Sequence, residues 1–272
     1  MRLGNSRQSL EKKSIGLALG GGAARGIAHV GVLKVLERKG ILPQMIAGTS
    51  MGALVGALYA KDLDADRLEQ YAMGWSRWKV AQLLDPALSR TGLIKGKKAE
   101  DILGSLLGEI AFSDLKVPFA CVATDIETGG EVVIREGLVA KAVRASISIP
   151  GIFVPVERDG KSLVDGALVN PVPVSIVKKM GADFVIAVDA SSDPMGRIGQ
   201  QSEEDRGLNI FAVLMQVVHI ASHLVLRASL EGADLVIEPD VGYIGTADFH
   251  LASECIAEGL KAAERTLSTL KL

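Results

Sequence analysis

The pentapeptide Gly48-Thr49-Ser50-Met51-Gly52 places a serine hydroxyl between two glycines, after the apolar run Met45-Ile46-Ala47 and before a helix-compatible run from Ala53 to Leu58. A strand that turns sharply into a helix needs small residues two before and two after the turn, where side chains would collide with the tight backbone. Read this way, Ser50 is a nucleophile held out from a sheet edge, and Gly48, Thr49, Met51 and Gly52 form its elbow. The following helix would present its positive end to the negative charge that develops in acyl transfer. The chain has 30 glycines, so the pentapeptide alone is a moderate signal and its partners must carry the rest.

The first partner is Gly20-Gly21-Gly22-Ala23-Ala24-Arg25-Gly26, which closes the first strand-like run and opens a helix. Successive glycines let main-chain amides approach a bound oxygen, so Gly20, Gly21, Gly22 and Ala23 suit an oxyanion hole, with Arg25 bracing the loop or facing an anionic head group. The competing reading is a dinucleotide loop, since Gly20, Gly22 and Gly26 match a variant of the Rossmann glycine pattern. A nucleotide-binding unit normally places an acidic residue at the end of its second strand, and here that strand ends in Gly48-Thr49-Ser50. No G-x-x-x-x-G-K-[ST] phosphate loop occurs.

A serine hydroxyl needs a base, and the chain has four histidines: His29, His219, His223 and His250. The order Ser50, Asp165, then His219, His223 or His250 formally satisfies a hydrolase triad. His219 and His223 lie inside an apolar helical run, where structural contacts are the ordinary role, and their spacing lacks the glutamate of an H-E-x-x-H metal site. Asp165 ends the short strand-like run Ser162-Leu163-Val164 and precedes Gly166-Ala167, a carboxylate followed by a small-residue turn. On that tripeptide alone an ordinary Asp-Gly turn is the preferred explanation; taken with the two glycine loops before it, the balance reverses toward Asp165.

The elements that must position these residues alternate. Strand-like runs fall at 15–19, 45–48, 119–123, 131–135, 161–164, 183–188 and 234–237, separated by helical patterns at 26–38, 51–60, 64–75, 98–107, 138–146, 174–180, 208–230 and 252–270. This predicts an α/β fold, three layers with a mostly parallel central sheet between helices. Residues 62–116 read as helices and loops without a convincing strand, a helical cap insertion over one end of the sheet. Residues 191–207 read as a polar loop.

Composition narrows the function. With 272 residues, 48% hydrophobic content and a net charge of -2, the chain is globular and carries no global basic field for nucleic acid. Two cysteines, Cys121 and Cys255, make neither a disulfide framework nor a zinc set. The polar first thirteen residues lack the apolar centre of a signal peptide, so a cytoplasmic protein is expected. The apolar run 208–226 contains Asn209, Gln216, His219 and His223, and with Arg227 the last three make one polar face; a buried amphipathic helix is expected rather than a membrane span.

In order along the chain, the glycine loop 20–26, the elbow 48–52 and Asp165-Gly166-Ala167 resemble the motifs of the patatin-like phospholipase family, in particular its bacterial members related to the neuropathy-target-esterase type. Ala123-Thr124-Asp125 and the stretch from Arg144 to Pro155 are also similar. The resemblance covers about residues 15–190 and implies a single patatin-like domain over 1–272, with further helices and a strand at 207–272. It implies a dyad, Ser50 as nucleophile and Asp165 as base, with Asp165-Gly166-Ala167 as the D-G-A motif and no metal or cofactor. The implied activity is hydrolysis of lipid carboxyl esters through an acyl-Ser50 intermediate. Acyl transfer with the same dyad, or a non-hydrolytic adaptor role on the same fold, are the alternatives.

Residues 77–98 hold Arg77, Lys79, Arg90, Lys95, Lys97 and Lys98 against one acid, Asp85, with Trp75 and Trp78 beside them. Aromatic edges next to basic residues suit a lipid head-group boundary, so the region 75–98 is expected to make peripheral membrane contact. A solvated loop with two core tryptophans is the competing expectation.

Overall fold

A computed structural model describes residues 13–74, 91–191 and 210–269. Its centre is an eight-stranded sheet in the order β10-β9-β1-β2-β4-β8-β7, with β5 also pairing β4. The strands are β1 (Ile15–Leu19), β2 (Met45–Thr49), β4 (Phe119–Asp125), β5 (Gly130–Ile134), β7 (Val156–Arg158), β8 (Lys161–Asp165), β9 (Phe184–Val188) and β10 (Leu235–Ile237). Pairing is parallel from β10 through β9, β1 and β2 to β4. It turns antiparallel where β5 and β8 flank β4 and where β7 joins β8.

The parallel strands are continuous apolar runs because both faces are covered: every residue of β1, β2 and β4 is buried. Alternate residues feed two separate cores. Leu17, Leu19 and Ile46 pack on one side among residues of α1 (Ala28–Arg38), α2 (Met51–Asp62) and α8 (Ala252–Thr269). Ala18, Met45 and Ala47 pack on the other with Val174, Ile176 and Val177 of α6 (Val174–Lys179). The remaining helices are α3 (Ala65–Met73), α4 (Lys97–Leu107), α5 (Val139–Ser146) and α7 (Ile210–Ser229). The three-layer α/β arrangement expected from the alternation of runs is therefore observed.

Two features differ from the sequence expectation. The region 62–116, read without a strand, contains β3 (Gly92–Ile94), which pairs in parallel with β6 (Gly151–Phe153) as a separate ribbon. Together with β7 these are three-residue strands, too short for a period-two pattern to be read in sequence.

The second is α7, expected to be a buried helix. Its inner side is partly covered, with Ser222 buried, yet Ile210, Val213, Val217, Ile220 and Leu224 are exposed by 40 to 79%. Of its polar face, Gln216 and Arg227 are exposed while His219 and His223 are half-buried, so that face does not mark which side meets the protein. Among the described residues no helix is long and apolar enough to cross a membrane. The polar loop expected at 191–207 lies outside the described residues beyond Ser191.

Candidate active site

β2 ends at Thr49 and α2 begins at Met51, so the whole change of direction falls on Ser50, whose backbone takes φ 54 and ψ -121. That is a sparsely populated conformation for a residue with a Cβ and costs about 1–3 kcal/mol. The glycines two residues away are required by contact: a Cβ on Gly48 would lie 2.3 Å from the Gly52 carbonyl oxygen, and one on Gly52 would lie 2.2 Å from that of Leu19.

Neighbours hold the turn in place. The Ser50 amide donates to Ser146 Oγ at 2.9 Å, and Ser146 Oγ donates to Val122 O at 2.6 Å. Thr49 Oγ1 donates to Asn170 O at 2.8 Å.

β2 and β8 meet end to end along one edge of β4, whose other edge pairs with β5: Val122 lies opposite Thr49 and Ala123 opposite Asp165. This register sets the ends of β2 and β8 beside consecutive residues of one strand. Ser50 Oγ donates to Asp165 Oδ2 at 2.6 Å. The other carboxylate oxygen accepts from the Ala167 amide at 2.9 Å, which fixes the plane of the group. The backbone of Asp165 is tied on both sides, its amide to Ser148 O at 2.8 Å and its carbonyl to Thr124 Oγ1 at 2.8 Å. Burial raises the Asp165 pKa to about 6, against the opposing effect of the bonds from Ser50 and Ala167. A carboxylate with that pKa is a stronger base toward an alcohol than an ordinary aspartate and is still ionised at neutral pH.

The glycine loop passes beside this pair, with the Cβ position of Gly21 3.6 Å from Ser50 Cβ. Its amides are not equivalent. Gly20 N donates to Val188 O and Gly21 N to Pro171 O, both at 3.0 Å. The Gly22 and Ala23 amides donate to no other group among the described residues, and both residues have positive φ, 152 and 52. Of the loop residues expected at an oxyanion hole, Gly22 and Ala23 therefore have free donors, while Gly20 and Gly21 anchor the loop. Arg25 braces it, with Nε donating to Ile244 O at 2.6 Å.

Behind the loop lies His29, fully buried, whose Nε2 donates to Gly20 O at 2.7 Å. Burial lowers its pKa to about 4, so it is neutral in the working range and acts as a fixed donor. Ser50 and Asp165 bond to each other and to Ser146, Ala167, Ser148 and Thr124, with no histidine among their partners. His219 lines the small cavity beside the dyad, and His250 Nδ1 lies 3.8 Å from Asp248.

Ser50 opens onto two spaces. One is a cavity of about 180 Å³ whose walls are almost wholly apolar, including Leu54, Leu58, Leu68, Ile102, Leu103 and Leu106 from α2, α3 and α4. The other, about 70 Å³, is lined by Arg25, Asp165, His219, Ser222 and Thr246 together with the loop. The first exceeds the ~150 Å³ of an engineered cavity that binds benzene, and it suits a hydrocarbon chain.

Trp75, Arg77, Trp78, Lys79, Asp85 and Arg90, the greater part of the basic region, lie outside the described residues. Of the rest, Lys97 pairs with Asp101 at 3.1 Å and Glu100 at 3.6 Å on its own helix, acids that lie just beyond residue 98. The residues that sequence reasoning gave no role are Ser146, Ser148 and Arg144. They stand in a stretch singled out for its likeness to a family, and nothing local marks Ser146 as the acceptor for Ser50.

Residues 17–178, more than half of the chain, match the family model described as patatin-like phospholipase. The chain belongs to this family. An NTE family protein of Mycobacterium tuberculosis is 38% identical over 186 residues, 67% of this chain and 50% of that protein. Patatin-like phospholipase domain-containing protein 6 of Homo sapiens is 35% identical over 202 residues, covering 72% of this chain and 14% of that one. Lysophospholipase NTE1 of Scheffersomyces stipitis is 31% identical over 282 residues, 96% of this chain and 18% of that one. The chain thus spans half or less of the length of these relatives. Among solved structures, VipD from Legionella pneumophila superposes with a TM-score of 0.52 at 14% identity, over 95% of this chain and 67% of that one. That likeness shows the patatin fold.

Proposed function

We propose that this patatin-like chain is a serine hydrolase of lipid carboxyl esters, with Ser50 as nucleophile, Asp165 as its base, and lysophospholipids or phospholipids as substrates. The observation that carries the reading is the 2.6 Å bond from Ser50 Oγ to Asp165 at the mouth of the apolar cavity. The acyl chain lies in that cavity, and the residues around 62–116, which supply α3 and α4, serve as its cap.

Ser50 Oγ attacks the ester carbonyl as its proton passes to Asp165 Oδ2. The carbonyl oxygen takes up the negative charge and is met by the Gly22 and Ala23 amides, with the N-terminus of α2 adding its dipole. Each such donor is worth about 3–4 kcal/mol in the transition state. The tetrahedral species then collapses: the ester C–O bond breaks, the leaving alcohol takes the proton from Asp165, and the acyl group stays on Ser50. Water attacks the acyl-serine, gives a proton to Asp165, and the fatty acid leaves as that proton returns to Ser50 Oγ.

The buried free thiols Cys121 and Cys255 support placing this reaction in a reducing, cytoplasmic setting. The test is incubation with lysophosphatidylcholine, with and without glycerol as acceptor. Free fatty acid in both, lost in Ser50→Ala, is the expected result. Acylglycerol as the main product would make the protein a transferase, and no product at all would contradict the reading.

A further inference from the structure

The exposed residues of α7 do not scatter. Ile210, Val213, Val217, Ile220 and Leu224 follow one another at steps of three and four and so share one face, about 21 Å long at 1.5 Å per residue. Leu224, the most exposed, is 79% accessible. Over its 20 residues the helix has no aspartate, glutamate or lysine, and Arg227 near its end is its only formal charge. A continuous apolar strip in water marks a surface that something else covers.

The opposite side of the same helix decides what. Met215, Val218, His219 and Ser222 form one wall of the cavity that contains Ser50 and Asp165. The strip is therefore the outer side of the wall that encloses the reaction site. A second copy of the chain is a poor occupant: a standard protein interface takes roughly 20–30 residues per side, and the strip offers five side chains. A bilayer sets no such minimum, because each apolar side chain that enters the head-group region adds its own increment.

We infer that α7 is an interfacial helix that lies in the lipid–water boundary through Ile210, Val213, Val217, Ile220 and Leu224, with its inner wall facing the reaction site. This placement rests on the lipid-ester reading for its purpose, since an ester held in the bilayer would then reach Ser50 along one helix without crossing bulk water. A bilayer is the covering for which the helix is suited: it has no acid to repel anionic lipid, and its cation sits at one end.

The test uses the full chain and phosphatidylcholine vesicles in a sedimentation assay, with hydrolysis of a water-soluble short-chain ester measured in parallel. The pair Val217→Glu/Leu224→Glu should weaken vesicle binding at least about tenfold while leaving hydrolysis of the soluble ester near the wild-type rate. If that pair loses soluble activity, Val217→Ser/Leu224→Ser must show the binding loss in a folded background. Ile220→Trp must strengthen binding, as a folding defect would not. Unchanged vesicle binding in these variants overturns the inference, as does a wild-type dimer that the glutamate pair splits. A wild-type chain that binds vesicles through the strip yet hydrolyses no ester supports the docking and contradicts the catalytic reading instead.

Discussion

Ser146 Oγ, fully buried at the end of α5, accepts the amide hydrogen of Ser50 at 2.9 Å and thereby holds the strained Ser50 turn from behind. Two residues on, the Ser148 carbonyl takes the Asp165 amide at 2.8 Å. One short segment thus positions both members of the pair. It is fixed in turn by Arg144, which donates to Ser148 Oγ and, at 3.2 Å, to the carbonyls of Lys95 and Gly96.

Replacing Ser146 by alanine leaves the Ser50 amide without its acceptor in a buried place, at a cost of about 1–3 kcal/mol. Steady-state kinetics on a soluble ester should show kcat reduced roughly 10- to 100-fold with KM little changed, because Ser146 is not one of the residues that line the apolar cavity. Ser146→Cys, with a weaker acceptor, should fall between. An unchanged kcat would mean that the turn holds its shape without this bond.

With Asp165 as base, activity requires its ionised form, and its pKa is raised to about 6. The logarithm of kcat/KM should rise with unit slope up to about pH 6 and then level. His29, at about 4 and facing away into Gly20 O, adds no limb in that range. A rate profile whose acidic limb persists unchanged in Asp165→Asn would point to another base.

The same shift makes a statement about stability. The folded pKa of Asp165 lies above its ordinary value of 3.8, so the stabilising contribution is full below that value and is lost as pH rises through about 6. The loss amounts to up to roughly 3 kcal/mol. Asparagine does not titrate, so Asp165→Asn should be more stable than the wild type above pH 6, with the advantage shrinking toward pH 4. Thermal unfolding at pH 4, 5, 6 and 8 reads this directly; a difference independent of pH would deny the buried charge.

Chain-length preference should follow the apolar cavity. Ile102 on α4 is one of its wall residues, and Ile102→Trp would fill part of its ~180 Å³. Turnover of long-chain esters should fall about tenfold or more relative to short-chain ones, with the loss expressed in KM. Equal losses on both would place the acyl chain outside this cavity.

Much of this was open to reading in the residues. β1, β2, β4 and β9 are unbroken apolar runs, and Ser50 with its glycines announces a tight strand-to-helix turn. What was hidden depended on distant partners. Which loop amides stay free is decided by Val188 and Pro171, far along the chain, which occupy Gly20 and Gly21. Ser146 is an ordinary serine at a helix end until the fold sets it behind Ser50. The orientation of α7 was equally hidden, because its polar face, Gln216, His219, His223 and Arg227, is partly exposed and partly covered and so does not mark the inner side.

The claim at the centre is that Asp165 activates Ser50 without a histidine, and the rate of covalent labelling by a fluorophosphonate, mapped by peptide mass, tests it most directly. The adduct should form on Ser50 alone and be absent in Ser50→Ala. In Asp165→Asn it should form at least about a hundredfold more slowly, and in His219→Ala it should form readily. Labelling of Asp165→Asn at the wild-type rate, or its loss in His219→Ala, would contradict the account.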